Sequence, residues 1–396
     1  MAALLDHPTF KQARTEVEAL GFAVSGRSFS GSAPYAVIGG RSNNRWWLIP
    51  LGDRRTTVSG LALFQPVLAS ARFLKRAAAI ATSLGLTGLW ARQVLHIGGQ
   101  SPLGDLFRGR ELRYAFFTGT DSPHRKLAVQ IMEQDGTIRG FVKAGLAPAV
   151  RPLLAHEASC LERVRNLGLQ TASIPTVLFH GELGGATVLA TDTLKNTRSR
   201  TVTSLTPDHL GFIRELAAKT ISAESRSVVP VLRAELAAIS DRLPAPWRLR
   251  LERGLERIDR IDGGTGPVSM AHGDFSPWNT LFVDRTLYVF DWEYASAQRA
   301  AGHDLLHFLL SAPEVARRSA PWALALGRGG LRQLDAELSA RRVEALLAAY
   351  FCAYALQYAA RDLSVGGSGL WPGNGTTAAI LDELLGGNLG GVGRLA

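Results

Sequence analysis

Residues Met270–Glu293 read MAHGDFSPWNTLFVDRTLYVFDWE. Within this stretch Asp274 is followed five residues later by Asn279, and Asp291 comes twelve residues after that. The apolar runs Leu281–Val283 and Leu287–Phe290 flank the turn residues Asp284 and Arg285, a pattern that predicts a buried β-hairpin with Asn279 at its entrance and Asp291 at its exit. Ligands distant in sequence are thereby attached to one rigid element.

The residue types suit one kind of chemistry. Magnesium is a hard cation that takes oxygen ligands, so the Asp291 carboxylate and the Asn279 amide oxygen fit it, while Asp274 can accept the proton of an attacking hydroxyl. An acid that orients a hydroxyl and two oxygen ligands for Mg²⁺ on a nucleotide's phosphates point to phosphoryl transfer. An isolated Asp-x-x-x-x-Asn is more often turn chemistry, because both side chains cap backbone groups. The hairpin and the second acid lift this one above that reading. Asp284 is read as a turn residue only, and Trp278 and Trp292 as packing residues.

His272-Gly273-Asp274 through Asn279, followed by Asp291-Trp292-Glu293, resembles the catalytic loop and metal-binding segment of the aminoglycoside phosphotransferase and choline kinase family, relatives of protein kinases. The resemblance spans about residues 110–360. It implies an α+β, two-lobed, protein-kinase-like fold with a β-rich N-lobe and a helical C-lobe, here with an additional small N-terminal α/β module. It also implies that Asp274 is the catalytic base, that Asn279 and Asp291 hold Mg²⁺, that His272 supports the loop, and that Asp304 in Gly302-His303-Asp304-Leu305 is structural. The cofactors implied are ATP and Mg²⁺.

Such a site needs an upstream lysine on a strand and a helix glutamate to pair with it. Thr137–Lys143 reads as a strand after the turn Gln134-Asp135-Gly136, and Ala155–Val164 reads as a helix. Lys143 is the expected phosphate-binding lysine and Glu157, fourteen positions on, its partner, in preference to Glu162. Leu112–Phe117 and Lys126–Glu133 read as strands joined by a loop with a single glycine, Gly119, where a kinase loop would have three; the resemblance implies a serine-containing loop in its place, with Ser122 and neighbouring amides as the expected phosphate contacts. Ala186–Thr191 reads as a short strand, after which Asp192, Thr193 and Leu194 fall where a connector would present groups to a base. The basic run Lys195–Arg200 is read as solvated.

Global properties fit this reading. A chain of 396 residues with 46% hydrophobic residues can build full-sized cores. Its two cysteines, Cys160 and Cys352, lie on predicted helices and read as buried free thiols, not as a disulfide or metal site. The start of the chain lacks a secretion-signal pattern, and charges at Arg72, Lys75 and Arg76 interrupt the longest apolar stretch, so no transmembrane segment is expected and a cytoplasmic location is. The net charge of +10 leaves attraction to an anionic nucleotide or peripheral contact with a membrane surface open. With no run of five basic residues, specific nucleic-acid binding is not expected.

The expected organisation is an N-terminal extension of unlegible role over residues 1–105, a nucleotide-binding N-lobe over 106–195, a helical C-lobe carrying the catalytic loop and the acceptor pocket over 196–383, and a glycine-rich tail over 384–396. In the extension, a helix is predicted over Pro8–Leu20, strands over Tyr35–Gly39 and Arg45–Leu51, an amphipathic helix over Val67–Leu84 and a linker over Gly98–Gly104. The acceptor expected is a small molecule with a hydroxyl (a sugar, aminoglycoside-like, amino alcohol or lipid-linked compound); because the helical part is rich in arginine and not conspicuously acidic, a polycationic antibiotic is the disfavoured one among these. A protein Ser/Thr kinase is the alternative, disfavoured because no activation segment follows Asp291. A non-catalytic nucleotide-binding scaffold is the other.

Overall fold

The structure is a computed structural model, and it describes residues 2–39, 44–66, 69–107, 111–222, 227–261, 265–311 and 317–386. The predicted tail lies outside these residues from 387 onward. The chain divides into two compact units. The first contains residues 1–166, 173–201 and 281–293, and the second contains 167–172, 202–280 and 294–396.

The first unit is built on one antiparallel sheet of nine strands: β1 (Ala23–Ser25), β2 (Ser32–Gly39), β3 (Trp46–Pro50), β4 (Val94–Gly98), β5 (Arg113–Phe117), β6 (Leu127–Met132), β7 (Ile138–Gly145), β8 (Val177–Leu183) and β9 (Ala186–Asp192). Their order across the sheet is β1-β4-β2-β3-β5-β6-β7-β9-β8. The predicted strands of both the extension and the following segment are therefore neighbours in one sheet, joined where Trp47 pairs with Phe117 and Leu48 with Phe116. A continuous core runs under both parts, from Phe10, Leu20 and Trp46 to Phe116, Val142 and Val188. Strands β1 and β4 were not foreseen. Each is short, and β4 ends at Gly98, the first residue of the expected linker, pairing with β1 on one side and β2 on the other.

The N-terminal helix Pro8–Ala19 starts with proline in its first turn, where the missing N–H costs nothing. It buries Phe10 edge-on against Trp46 at 5.3 Å between ring centroids. It also carries Glu16, which forms an ion pair with Arg125 of the β5–β6 loop, both side chains 1% exposed. Burial pushes the Glu16 carboxyl up to about 7 against the pull of Arg125. Arg125 donates to the Thr9 carbonyl at 2.8 Å, and Asp121 in the same loop accepts from Thr9 and Asn44. The extension thus fixes the loop that contains Gly119 and Ser122.

The predicted hairpin exists as β11 (Thr280–Val283) and β12 (Thr286–Val289). Its turn residue Asp284 takes φ +55°, as a tight hairpin turn demands. Two backbone anchors hold the hairpin in the first unit: Ser173 exchanges hydrogen bonds with Leu287 and Val289, and Arg200 does so with Phe282.

The second unit is helical, with a two-stranded ladder of β10 (Val268–Ala271) and β13 (Ser296–Ala300). Its helices are Pro207–Thr220, Val229–Ala237, Ala245–Asp259, His303–Leu310, Ala320–Leu334, Ala340–Ser364 and Asn374–Leu384. The helix Ala340–Ser364 begins where the Ser339 hydroxyl accepts from the Arg342 N–H and so caps its first turn. It is buried along most of its length and packs Val343, Leu347, Phe351 and Leu356 into the core. Among the described residues it is the one helix long and apolar enough to cross a membrane, and 72% of its most apolar window is buried inside the protein, as befits a core helix. Cys160 and Cys352 are both buried free thiols. The β-rich first unit and helical second unit are the α+β composition expected.

Candidate active site

In the first unit the lysine, its helix partner and the hairpin acid come together. Lys143 sits in the centre of β7, between Ala128 of β6 and Leu189 of β9, so its backbone is fixed on both sides. Glu157 projects from the helix Val150–Asn166, whose residues Val150, Leu154 and Ala158 pack on Leu189. Lys143 Nζ donates to both Glu157 oxygens, at 2.6 and 2.7 Å, and to Asp291 Oδ1 at 2.6 Å. Burial lowers the pKa of the ammonium, but the Asp291 and Glu157 charges outweigh it and hold it above the ordinary value, so the group is a permanent cation. Glu157 is 3% exposed.

Asp291 adopts φ +70°, a left-handed conformation that a non-glycine residue rarely takes and that has to be maintained by its surroundings. Beside it Trp292 is fully buried and donates its indole N–H to the Val289 carbonyl at 3.2 Å, locking the end of the hairpin and confirming it as a packing residue. Glu293, which the sequence reading passed over, forms an ion pair with Lys126 at the start of β6. Glu157, Asp291 and Glu293 each offer an oxygen within 4.8 Å of the others. A cluster of carboxylate oxygens is the donor set a hard divalent cation requires.

The remaining predicted groups of this unit are placed differently. Ser122 is half-buried in the β5–β6 loop, where its carbonyl accepts from Arg125 N–H, and no contact joins it to Lys143 among the described residues. Asp192 is engaged at every polar group: its N–H donates to Thr176 O, its carboxylate accepts from Thr176 N–H at 2.5 Å, and its carbonyl lies 3.5 Å from the Tyr288 hydroxyl. It braces the connector to the hairpin. The connector itself, Thr193–Arg198, lines a cleft of about 860 Å³ whose other wall is Asp53–Ser59 and the turn Asp135–Ile138. Lys195, expected to be solvated, is 8% exposed and stands 5.1 Å over the Phe141 ring. Burial and the charge of Lys75 pull its pKa well below the ordinary value. The apolar wall around one position of a basic run is what the linear sequence does not reveal.

In the second unit the loop after β10 is organised by groups that it contains and by the helix His303–Leu310. Asp304, 3% exposed, accepts from the His272 and Gly273 N–H groups at 2.8 and 2.9 Å. Burial raises the pKa of its carboxyl against the opposing pull of His272 and those two donors. His272 is fully buried, and its Nδ1 accepts from Asp274 N–H at 3.3 Å. Gly273 has φ +81°, and a Cβ there would fall 2.0 Å from the Tyr294 carbonyl oxygen, so the middle residue of this triplet has to be glycine. Phe275, also fully buried, anchors the loop in a cluster with Phe212, Phe308 and His209.

Asp274 is held at both oxygens. Asn279 donates its Nδ2 to Asp274 Oδ2 at 2.8 Å and to the Asp274 carbonyl at 2.9 Å, which leaves the Asn279 amide oxygen as the end able to meet a cation. His307 Nε2 lies 2.9 Å from Asp274 Oδ1, and the Tyr350 hydroxyl lies 3.4 Å from His307 Nδ1. The sequence reading missed His307. Its only signal was a position one helical turn beyond Asp304, on the same face. Further along, Tyr350, Tyr354 and Tyr358 repeat at four-residue intervals on Ala340–Ser364 and form an aromatic row that continues to Tyr294 and Trp371. Burial raises the pKa of all three helix tyrosines, and the Asp274 charge adds to the effect, so the row stands within electrostatic reach of that carboxylate.

No family model matches the chain, and no curated protein does. Among solved structures, the chain is similar to macrolide 2'-phosphotransferase MphH from Brachybacterium faecium, with 18% identity, a TM-score of 0.43, and coverage of 69% of this chain and 92% of that one. It is similar also to ADP-bound aminoglycoside phosphotransferase APH(2'')-Ib, with 17% identity over 72% of this chain and 95% of that one and a TM-score of 0.45. A third likeness is to aminoglycoside phosphotransferase APH(3'')-Id from Streptomyces rimosus, with 16% identity over 56% and 87% of the two chains and a TM-score of 0.36.

Proposed function

We propose that this protein is a phosphotransferase that moves the γ-phosphoryl group of ATP to a hydroxyl of a small molecule, with Mg²⁺ as cofactor. The observation that carries the proposal is the clamp on Lys143, whose ammonium is shared at 2.6 Å by Glu157 and Asp291. A lysine fixed as a cation by two carboxylates is suited to binding phosphate oxygens, and its rigidity means that little reorganisation is needed when charge develops on them. Asp291 and Asn279 are the proposed Mg²⁺ ligands, and Glu157 and Glu293 stand beside Asp291 as further oxygen donors. A bound Mg²⁺ would neutralise charge on the phosphate oxygens.

Asp274 is the proposed base. Each carboxylate oxygen has two acceptor positions, so the bonds from Asn279 and His307 fix the direction of the group and leave one position on each oxygen for an acceptor hydroxyl. Asp304 and His272 support the backbone that presents it. The backbone groups of Thr193 and Leu194 after β9 are the proposed contacts of the nucleotide base, with Asp192 acting as a brace. Ser122 remains the proposed phosphate contact of the β5–β6 loop. The aromatic row beside Asp274 suits an acceptor with a ring, because tyrosine faces pack against the apolar face of a sugar or of an aromatic alcohol.

The test uses purified protein, labelled ATP and Mg²⁺ with a panel of hydroxyl compounds. Asp274→Asn is expected to abolish transfer while nucleotide binding is retained, and Lys143→Met to weaken nucleotide binding. Undiminished turnover in Asp274→Asn would refute the mechanism.

A further inference from the structure

The helix Ala69–Ser83 is apolar on the wrong side for a helix that only packs on a core. Phe73, Ile80 and Leu84 follow one another at seven- and four-residue spacing and fall on one stripe, with Ala77 between them. Phe73 is 71% exposed, Ile80 62% and Leu84 66%. Leu74 at the edge of the stripe and Leu86 and Leu89 just beyond the helix are exposed as well. The side turned to the protein carries small residues and the half-buried Lys75: Ala78 and Ala79 pack on the cluster of Ile49, Leu61 and Met132, and Thr82 is fully buried, where its hydroxyl receives the Trp90 indole N–H. The large apolar side chains point to solvent.

Isolated exposed leucines are ordinary, whereas a contiguous apolar stripe on one helix marks an interaction surface. Its surroundings indicate with what. Arg72 and Arg76 flank the stripe, both exposed, and neither makes an ion pair among the described residues. From Arg54 to Gly104 the chain contains no aspartate or glutamate, whereas it contains Arg54, Arg55, Arg72, Lys75, Arg76 and Arg92. The net charge of the whole chain is +10. A second copy would bring arginine against arginine, so charge complementarity argues against self-association.

We propose that the helix Ala69–Ser83 with Leu84–Leu89 docks the protein on a membrane surface rich in anionic lipid. Phe73, Ile80, Leu84 and Leu89 enter the boundary between headgroups and acyl chains, and Arg72 and Arg76 pair with lipid phosphates. A convex helix with aliphatic and aromatic residues on one side and arginines at its flank is the form of an interfacial helix, and it binds without spanning the bilayer. The surface belongs to the first unit alone and is independent of the reading of the active site.

The experiment is sedimentation of the full chain with vesicles of phosphatidylcholine plus phosphatidylglycerol and with vesicles of phosphatidylcholine alone. Binding to the anionic vesicles is expected, with weakening in high salt. Because the stripe is exposed, Phe73→Ser combined with Ile80→Ser is expected to keep the thermal transition of the parent while lowering vesicle affinity at least about tenfold. Arg72→Gln combined with Arg76→Gln is expected to weaken binding to anionic vesicles by roughly tenfold or more and to leave the fold intact. Absence of vesicle binding, equal binding by the serine variant, or a parent dimer that the serine variant converts to a monomer would each overturn the proposal, the last in favour of self-association.

Discussion

His307 Nε2 lies 2.9 Å from Asp274 Oδ1, joining the helix His303–Leu310 to the loop after β10 through a buried histidine 1% exposed. The bond fixes one carboxylate oxygen while Asn279 fixes the other, so the direction of Asp274 is set before any acceptor arrives.

Replacing this histidine separates orientation from binding. His307→Ala is expected to lower kcat by about 10- to 100-fold, the range for losing one hydrogen bond to a charged group, with little change in KM for the nucleotide. His307→Gln, whose amide can donate to the same oxygen, is expected to recover part of the rate. Steady-state kinetics of both variants checks this, and a parent-like kcat in His307→Ala would remove any positioning role.

Gly273 gives a prediction that does not depend on activity. Any side chain there combines φ +81° with a Cβ 2.0 Å from the Tyr294 carbonyl. Gly273→Ala is expected to destabilise the second unit by about 2 kcal/mol or more, read as a shift in the urea midpoint, and to distort the loop that carries Asp274. Alanine at an unstrained exposed glycine such as Gly375, where a Cβ meets nothing within 4 Å, serves as the comparison and is expected to be neutral or slightly stabilising.

His209 predicts a pH dependence. It is fully buried, accepts the Thr206 N–H in a capping box at the start of Pro207–Thr220, and burial pulls its pKa down to about 4 against the opposing influence of Asp208. A histidine whose pKa is lower in the folded than in the unfolded state contributes stability that is complete above about pH 6.5 and is lost as the pH falls from there towards 4. The loss attributable to this residue is about 3 kcal/mol at most. Urea unfolding of the parent and of His209→Asn at neutral and acidic pH is the check. The parent is expected to lose stability more steeply, and parallel pH profiles would show that His209 is not the group responsible.

The sequence by itself determined the local pieces and the residue types of the site. Lys143 on a strand with Glu157 on the following helix, and Asp291 at the end of an apolar hairpin, were legible because alternation, helical spacing and turn chemistry act over short distances, and those three side chains do converge. The glycine of His272-Gly273-Asp274 was visible as a residue, but its necessity rests on a carbonyl twenty-one positions away, at Tyr294. His307 and Glu293 were not legible as partners of Asp274 and Lys126, because each contact is made by chain folding and leaves no periodic trace. Nor was the burial of Lys195 beneath a basic run.

The amphipathic pattern of Val67–Leu84 shows the limit most clearly. Periodicity established that large apolar residues occupy one stripe of this helix. A stripe faces whichever surface its neighbours leave to it, and here Ala78, Ala79 and Thr82 fit the space against the sheet while Phe73, Ile80 and Leu84 do not enter it. The pattern therefore came from the chain alone, and its direction from packing, because the pattern records which residues share a side and only the tertiary structure decides which side meets the core.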